Sequence, residues 1–500
     1  GRRRPPRFLK PEPNVQIQFC AFEKCPFHAI ADRSCPRNRA IKRDMNDWLR
    51  IASEVYAWDY VFNLNAVDMP FADLHTLGPN LRYYAKRGVR GAFIQGNGRC
   101  PGGEFSDLRC YVISRLLWNP QQDEEALIAE FLRLHFGESA AAIRAYLDIV
   151  DAAANRTGTH ASILSLAPEL GLTAEDAQRG LEVFDKALIS ADNDQIRARV
   201  VKASLPAYKA AIETSGRLTF AEGRISVVYP DWMQSRFREY SERCANVGMD
   251  RSAEFASLEE YLEDVARNRS GVEAAQIEDN TWRVTLVPAM NGAIVAMYHK
   301  PTGRDLLNAL NEPGINLRHG VLRETIVEGL SEAGSLQSEL TPVAATITRR
   351  LPNGTTATRT ISLNDGALRS TTDIKHEGNE PARYRVELSA GFRGADALDR
   401  MKRLRGYVKT TTWHRTPAMS IESDAEDATD QPEGTGIAWF NRNEQFGASI
   451  QYPTGQFESP LLFARPGLLE VSTEMTTPER TLNTDESLRI EYTIAAGPVR

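Results

Sequence analysis

The feature that most constrains the fold is a change of periodicity along the chain. Between residue 14 and about residue 118, short apolar runs alternate with segments whose apolar residues recur at helical spacing, which is typical of parallel βα units. The pattern predicts, in chain order, strand 15–20, helix 39–54, strand 55–62, helix 77–87, strand 91–95 and helix 104–118. Because right-handed helical crossovers join such strands, we expect the three strands to be parallel neighbours. The strand at 55–62 is apolar and aromatic throughout, which predicts burial on both faces.

Three strands are too few for a closed βα barrel, which needs eight. Gly96-Asn97-Gly98 after the third strand lacks the spacing of a phosphate-binding loop, which argues against a nucleotide-binding sheet. We therefore interpret residues 1–120 as the last three βα units of a (β/α)8 TIM-type barrel, whose earlier strands are absent from these 500 residues.

The rest of the chain divides in two. Residues 121–268 have helical periodicity throughout and predict a helical domain, in which Thr173 and Asp176 form a capping box. Residues 269–500 show short alternating runs separated by turns, with Pro352-Asn353-Gly354 as a hairpin signal. This last region predicts a large antiparallel β-sandwich. The fold class is thus a multidomain α/β, α and β architecture.

Composition excludes some partners. The 60 Lys and Arg residues against 66 Asp and Glu residues give a net charge of −6, which argues against nucleic-acid binding. No apolar run approaches the roughly 20 residues of a membrane span. The oligomeric state is left open.

Candidate site residues follow from the barrel interpretation, because the functional residues of such barrels lie at the carboxyl ends of the strands. Acids, amides and aromatic side chains cluster there, as in a sugar site, where polar groups bind hydroxyls and aromatic faces cover the C–H surface of the ring. The candidates are Asp59 and Glu104 for catalysis, and Trp58, Gln95, Asn97, Glu23 and Asn63 for substrate binding.

Both carboxylates have a structural alternative. Asp59, between two aromatic residues on a buried strand, either serves a ligand or pairs with an internal arginine. We expect it to face the barrel mouth near Gln95, with Trp58 and Tyr60 packed outward under the helices. Glu104 has the alternative of supporting the start of its helix through the helix dipole.

The spacing of Cys20, Cys25, His28 and Cys35 raises the question of a metal site. The pattern C-x4-C-x2-H-x6-C is not a standard zinc finger, and Cys20 ends a strand. We therefore expect buried thiols or a local disulfide, and neither a metal nor a cofactor.

Five ordered motifs resemble those of the domain of unknown function 4838 family, part of which is classified as glycoside hydrolase family 163. The motifs are Tyr56-Ala57-Trp58-Asp59-Tyr60, Pro70-Phe71-Ala72-Asp73-Leu74, Gly88-Val89-Arg90-Gly91-Ala92-Phe93-Ile94-Gln95-Gly96, Gly103-Glu104-Phe105-Ser106-Asp107-Leu108-Arg109 and Leu116-Leu117-Trp118-Asn119-Pro120. The resemblance covers residues 14–150. It implies a barrel glycosidase similar to endo-β-N-acetylglucosaminidases of N-glycans, in a secreted or periplasmic location.

By this resemblance, Trp58, Asp59, Gln95 and Glu104 occupy matching positions. The chain departs from the family at Ile94, where a Glu is common, and in lacking the earlier strands that usually carry the general acid. Further along, Asn291-Gly292-Ala293-Ile294 and Lys300-Pro301-Thr302-Gly303-Arg304 resemble β-sandwiches of the galactose-mutarotase type, which are accessory in glycosidases.

The expected function is glycoside hydrolysis of a complex carbohydrate. With an N-acetylhexosamine substrate, a retaining mechanism can be substrate-assisted, with Asp59 or Glu104 orienting the acetamido group. Two alternatives remain: an α-glucuronidase-like exo-glycosidase, and a non-catalytic glycan-binding protein with an incomplete barrel, which Ile94 favours.

Overall fold

A computed structural model describes residues 4–6, 8–96, 100–157, 160–165, 167–254, 256–307, 322–327, 335–393, 436–441, 446–453, 455–458, 461–465 and 470–498. The chain divides into two compact units. The N-terminal unit comprises residues 1–216 and 229–266, and the C-terminal unit comprises residues 217–228 and 267–500. The division into three domains expected from the sequence stays a prediction.

The N-terminal unit begins with three βα repeats. In chain order these are β1 (Gln16–Cys20), α1 (Pro36–Ile51), β2 (Glu54–Tyr60), α2 (Leu74–Arg87), β3 (Ala92–Gln95) and α3 (Ser106–Trp118). The strands form a sheet in the order β1-β2-β3, and both pairings are parallel, which confirms the prediction. Helix α1 begins three residues earlier than expected because Cys35 caps it and Pro36 occupies its first turn.

One face of β2 is fully buried, whereas the other is partly open apart from the buried Tyr60 at its end. Val55, Ala57 and Asp59 are buried, whereas Tyr56 and Trp58 on the other face are partly exposed. The expectation that both faces are buried is therefore wrong for the described residues. An apolar strand can equally present aromatic side chains on a partly open face.

Six further helices follow: α4 (Glu124–Phe136), α5 (Ala140–Thr157), α6 (Ala174–Ser190), α7 (Asp194–Ser215), α8 (Arg236–Val247) and α9 (Leu258–Ser270). The capping box of Thr173 and Asp176 at the start of α6 is confirmed. The region is not purely helical, because it also contains the strands β4 (Arg217–Ala221), β5 (Arg224–Val228), β6 (Arg251–Ala253) and β7 (Ala256–Ser257).

The remaining strands, with residues 217–228, belong to the C-terminal unit. They are β8 (Val272–Glu273), β9 (Ala275–Glu278), β10 (Trp282–Val287), β11 (Ala293–His299), β12 (Arg304–Asp305), β13 (Leu322–Val327), β14 (Ser335–Thr341), β15 (Ala344–Arg350), β16 (Thr355–Asn364), β17 (Ala367–His376), β18 (Ala382–Arg393), β19 (Gly436–Asn441), β20 (Phe446–Gln451), β21 (Leu461–Arg465), β22 (Glu470–Thr476), β23 (Arg480–Leu482) and β24 (Ser487–Pro498).

Two large antiparallel sheets dominate this unit. One has the order β21-β22-β18-β13-β11-β10-β9, with β12 and β23 paired at its sides, and the other has the order β14-β15-β16-β17-β24-β20-β19. Buried side chains from both sheets, such as Trp282 and Ile361, form one core. The antiparallel sandwich is thus confirmed, as is the β15–β16 hairpin at Gly354, whose φ is +80°. The acidic loop at 422–427 lies outside the described residues.

Candidate functional site

The carboxyl ends of β1 and β2 bring a buried ion pair together. Lys24, four residues after β1, places its Nζ 2.5 Å from Oδ1 of Asp59 on β2, and both side chains are almost fully buried. The hydroxyl of Tyr84 on α2 donates to Oδ2 of Asp59 at 2.8 Å. Asp59 thus has a cation and a hydroxyl as partners.

Asp59 faces the helices, so its predicted position at the open mouth is wrong. Its partner Tyr84 belongs to α2, and Asp59 shares the buried face of β2 with Val55 and Ala57. Alternation along the strand places Trp58 and Tyr60 on the opposite face. The predicted alternation holds, but the two faces are exchanged. Lys24 offsets the cost of burying the Asp59 carboxylate. The structural alternative anticipated an internal arginine in this role. This environment favours the structural interpretation of Asp59.

Glu104 belongs to a second buried cluster. Arg109 donates to Oε2 of Glu104 through its Nε at 2.7 Å and Nη2 at 2.5 Å, and its Nη1 pairs with Asp73. Burial raises the pKa of Glu104 to about 7, although Arg109 opposes this change. Burial likewise raises the pKa of Asp73. Two buried carboxylates share one guanidinium, so the cluster favours binding a proton near neutral pH.

The predicted residues Asn63 and Glu23 lie outside these two ion-pair clusters. Asn63 is buried, donates to the backbone of Ser165 at 2.6 Å and accepts from the backbone of Asn65 at 2.9 Å, so it organises loops. Glu23 is partly exposed in the loop after β1. Asn97 lies outside the described residues.

Aromatic side chains form the opposite, partly open face of the sheet. The ring of Trp58 stacks on Tyr60 with centroids 5.9 Å apart and meets the ring of Phe93 edge-on at 5.7 Å. Phe22 meets Tyr60 edge-on at 5.5 Å. Phe93 is 53% exposed and Phe22 37% exposed. We call these four side chains the aromatic platform.

Polar groups adjoin the aromatic platform. The indole Nε1 of Trp58 donates to Oε1 of Gln95 at 2.9 Å, and Nε2 of Gln95 donates to Oε1 of Glu254 at 3.2 Å. The structure thus brings the predicted residues Trp58 and Gln95 together. Glu254 was not predicted, because it lies about 160 residues further along the chain, between β6 and β7. Its backbone N–H donates to the carbonyl of Leu64, which anchors it beside the sheet.

A group of metal-ligand side chains lies in the loop after β1. Cys25, His28, Cys35 and the distant His160 place one ligand atom each within 4.8 Å of one another. A hydrogen bond with Cys25 lowers the pKa of the Cys35 thiol to about 2, whereas burial raises the pKa of Cys25. All six cysteines are free, so the local disulfide expected as one alternative is not formed in this structure. Cys20 contacts Tyr60 at 3.7 Å and is not part of the group.

A comparison with protein families concerns the segment that contains the βα repeats. Residues 2–148 match the family described as "Domain of unknown function (DUF4838)". This segment contains the aromatic platform and both ion-pair clusters, but not Glu254 or His160. A comparison with curated proteins found no match.

The chain also resembles solved structures. A galactose mutarotase related enzyme from Lactobacillus acidophilus is 11% identical, with a TM-score of 0.34 over 45% of this chain and 99% of that chain. A putative aldose 1-epimerase from Escherichia coli K12 is 10% identical, with a TM-score of 0.32 over 45% of this chain and 99% of that chain. A galactose mutarotase-like protein from Clostridium acetobutylicum is 8% identical, with a TM-score of 0.34 over 46% of this chain and 96% of that chain. Within the described residues, no helix combines the length and apolarity required to cross a membrane.

Proposed function

We propose that this protein is carbohydrate-active and that its N-terminal unit binds a glycan on the aromatic platform. The observation that carries the proposal is the line of side chains from Phe93 through Trp58 to Gln95 and Glu254. Exposed aromatic rings cover the C–H face of a sugar, and an amide and a carboxylate beside them bind its hydroxyls.

The three parallel βα repeats support a barrel origin for this unit. They have the strand order and direction that the last part of a (β/α)8 barrel would have. The match to the DUF4838 family over residues 2–148, together with the resemblance of its motifs to glycoside hydrolase family 163, supports an N-acetylglucosamine-containing glycan as the ligand.

Hydrolysis is the second candidate function, and the position of Glu254 favours it. Glycoside cleavage requires a proton donor, and with an N-acetylhexosamine substrate the acetamido group can replace the second carboxylate as nucleophile. Glu254 is partly exposed beside Gln95, whereas Asp59 and Glu104 are enclosed with Lys24 and Arg109. If the chain is an endo-β-N-acetylglucosaminidase, we assign the carboxylate that contacts substrate to Glu254, and Asp59 and Glu104 have structural roles.

Calorimetric titration with an N-glycan core oligosaccharide tests glycan binding. Trp58→Ala should weaken binding at least tenfold, equivalent to about 1.4 kcal/mol, because it removes the central ring of the platform. Trp118→Ala is the matched control, because Trp118 is 91% exposed at the end of α3 and remote in sequence from the platform. Equal affinities of the Trp58→Ala variant and the unchanged protein would contradict the proposal.

Product analysis with the same oligosaccharide separates the two functions. Release of a reducing N-acetylglucosamine end, lost in Glu254→Gln while binding persists, would support hydrolysis. Binding without product would support the non-catalytic function. Turnover retained in Glu254→Gln would contradict the assignment of Glu254.

A further inference from the structure

The Cys25, His28, Cys35 and His160 group takes no part in the proposed glycan site. The Sγ atom of Cys25 lies 3.2 Å from Nδ1 of His28, and Sγ of Cys35 lies 3.4 Å from Nδ1 of His160. Cys25 and Cys35 are buried, and both histidines are partly exposed. All four ligand atoms therefore lie close to one another, within 4.8 Å.

These distances suit a tetrahedral metal site. Zinc–sulfur bonds of about 2.3 Å and zinc–nitrogen bonds of about 2.0–2.1 Å place neighbouring ligand atoms about 3.3–3.8 Å apart. The two sulfur–nitrogen distances are close to this range, and two thiolates with two imidazoles form a donor set that selects zinc. We infer that Cys25, His28, Cys35 and His160 bind one zinc ion in a four-coordinate structural site.

Neighbouring side chains hold the ligands in place. Asn38 is fully buried; its Oδ1 accepts from the backbone of Cys25 at 2.9 Å, and its Nδ2 donates to the carbonyl of His28 at 2.7 Å. The backbone N–H of Asn38 also donates to Sγ of Cys35 at 3.5 Å, as part of the α1 cap. Such outer contacts fix the orientation of ligands in metal sites.

The fourth ligand is positioned by separate contacts. Nη1 of Arg37 donates to the carbonyl of Ala161 at 2.6 Å, next to His160. The backbone N–H of Leu64 donates to the carbonyl of Ile163 at 2.7 Å, and Asn63 donates to Ser165. The segment carrying His160 is thus fixed beside the loop after β1. The ion would join the start of α1 to this segment, across 125 residues of chain.

Four protein ligands leave no open coordination position, so the site is structural rather than catalytic. Zinc binding then contributes to folding, because the unfolded chain does not hold the four ligands together. The competing arrangement is a disulfide between Cys25 and Cys35, which would remove both thiolates.

Metal analysis of the full chain tests the inference. We expect about one zinc ion per chain, since the part of the chain that the structure describes contains one such group of ligands. Replacement by Co2+ should produce thiolate-to-cobalt charge-transfer bands and the visible bands of tetrahedral cobalt. Chelation should lower the melting temperature, and added Zn2+ should restore it. Copper or iron in place of zinc, or an intact Cys25–Cys35 disulfide in mass spectra, would overturn the assignment.

Single substitutions identify the ligands. Cys35→Ser and His160→Gln should each lose the zinc, whereas Cys20→Ser and His135→Gln, which change residues outside the group, should retain it. Asn38→Ala should weaken zinc affinity about 10–100-fold, as loss of an outer contact does. Where a ligand variant fails to fold, Co2+ titration of the chelated unchanged protein replaces it. Zinc retained by His160→Gln, or no cobalt spectrum in the titration, would overturn the site.

Discussion

At the scale of residues, two carboxylates that the sequence presents as catalytic have buried cations as partners. Asp59 contacts Lys24, and Glu104 contacts Arg109, which also pairs with Asp73. A carboxylate that is paired with a buried cation stabilises the fold and does not bind a ligand. Removing one member leaves the other as an uncompensated buried charge, which is more costly than losing an exposed pair.

Asp59→Asn should therefore destabilise the N-terminal unit by about 3–5 kcal/mol, because Lys24 would remain buried without its counter-charge. An Asp59 at the barrel mouth would instead predict a loss of glycan binding or turnover at an unchanged melting temperature. Urea unfolding followed by circular dichroism measures the effect. Asp47→Asn is the control, because its pair with Arg50 is exposed and should contribute less than about 1 kcal/mol. A stability loss no larger than that of the control would refute the structural role.

The Glu104 cluster predicts a dependence of stability on pH. Its folded-state pKa of about 7 lies above the ordinary value of 4.5, so the protonated form is favoured by folding. This contribution is complete below about pH 4.5 and is lost as the pH rises through about 7, with a total of about 3 kcal/mol.

Glu104→Gln should flatten this pH dependence, because the amide does not titrate. Unfolding free energies measured between pH 4.5 and pH 8 provide the comparison. Glu125→Gln is the control, since Glu125 forms an exposed pair with Arg144 and should leave the profile unchanged. An identical profile in Glu104→Gln would exclude Glu104 as the titrating group.

At the scale of elements, helices were the easiest to predict, and two strand pairs, β4–β5 and β6–β7, were missed. The region predicted to be helical after residue 121 contains α4 to α9, and the predicted helix 77–87 ends where α2 ends, before Gly88 in a left-handed conformation. The β4–β5 hairpin was assigned to a helical region. Its alternating residues Leu218, Phe220, Ile225 and Val227, with Glu222-Gly223 between them, were an available signal for it.

The hairpin turn predicts opposite effects of two substitutions. Glu222 and Gly223 have φ values of +52° and +70°. Glycine adopts such values freely and Asn or Asp adopt them at low cost, whereas other residues are strained there. Glu222→Asn should stabilise the C-terminal unit by about 0.5–1 kcal/mol, and Gly223→Ala should destabilise it by about 1 kcal/mol. The nearest atom to a new Cβ at Gly223 is 3.9 Å away, so any loss reflects conformation rather than a clash. Thermal unfolding measures both changes, and shifts of the same sign would contradict this account.

At the scale of the whole molecule, each compact unit contains charged groups inside it. In the sandwich, the guanidinium of Arg359 lies 3.4 Å from Glu324 and donates to the hydroxyl of Tyr492 at 2.6 Å, and all three side chains are buried. These residues come from strands far apart in the sequence, so the core depends on long-range pairing. This ion pair supports the core of the sandwich.

Arg359→Met should destabilise the sandwich by about 3–5 kcal/mol, because Glu324 would remain buried without a cation. The double variant Arg359→Met with Glu324→Leu should recover much of this loss, since it removes both charges. Arg369→Met is the control, because its pair with Glu491 is exposed and contributes at most about 1 kcal/mol. Thermal unfolding compares the three, and a double variant no more stable than Arg359→Met would contradict the ion-pair explanation.

Local patterns in the sequence determined the elements and much of their pairing. Hydrophobic period and turn residues predicted the three parallel strands, the helices after residue 121 and the antiparallel sandwich, because these signals act over a few residues. Alternation on β2 likewise separated Asp59 from Trp58 and Tyr60. It did not reveal which face meets α2, because an alternating pattern is the same under exchange of the two faces.

Only the tertiary structure decided which distant side chains meet. Glu254 reaches Gln95, and His160 joins Cys25, His28 and Cys35, through loops whose positions are fixed by backbone hydrogen bonds to Leu64 and by Arg37 and Asn63. Short-range spacing contains no record of such contacts, since the chain between the partners can take many paths. Tertiary packing fixes one of those paths, and it also buries Asp59 and Glu104 against their cations.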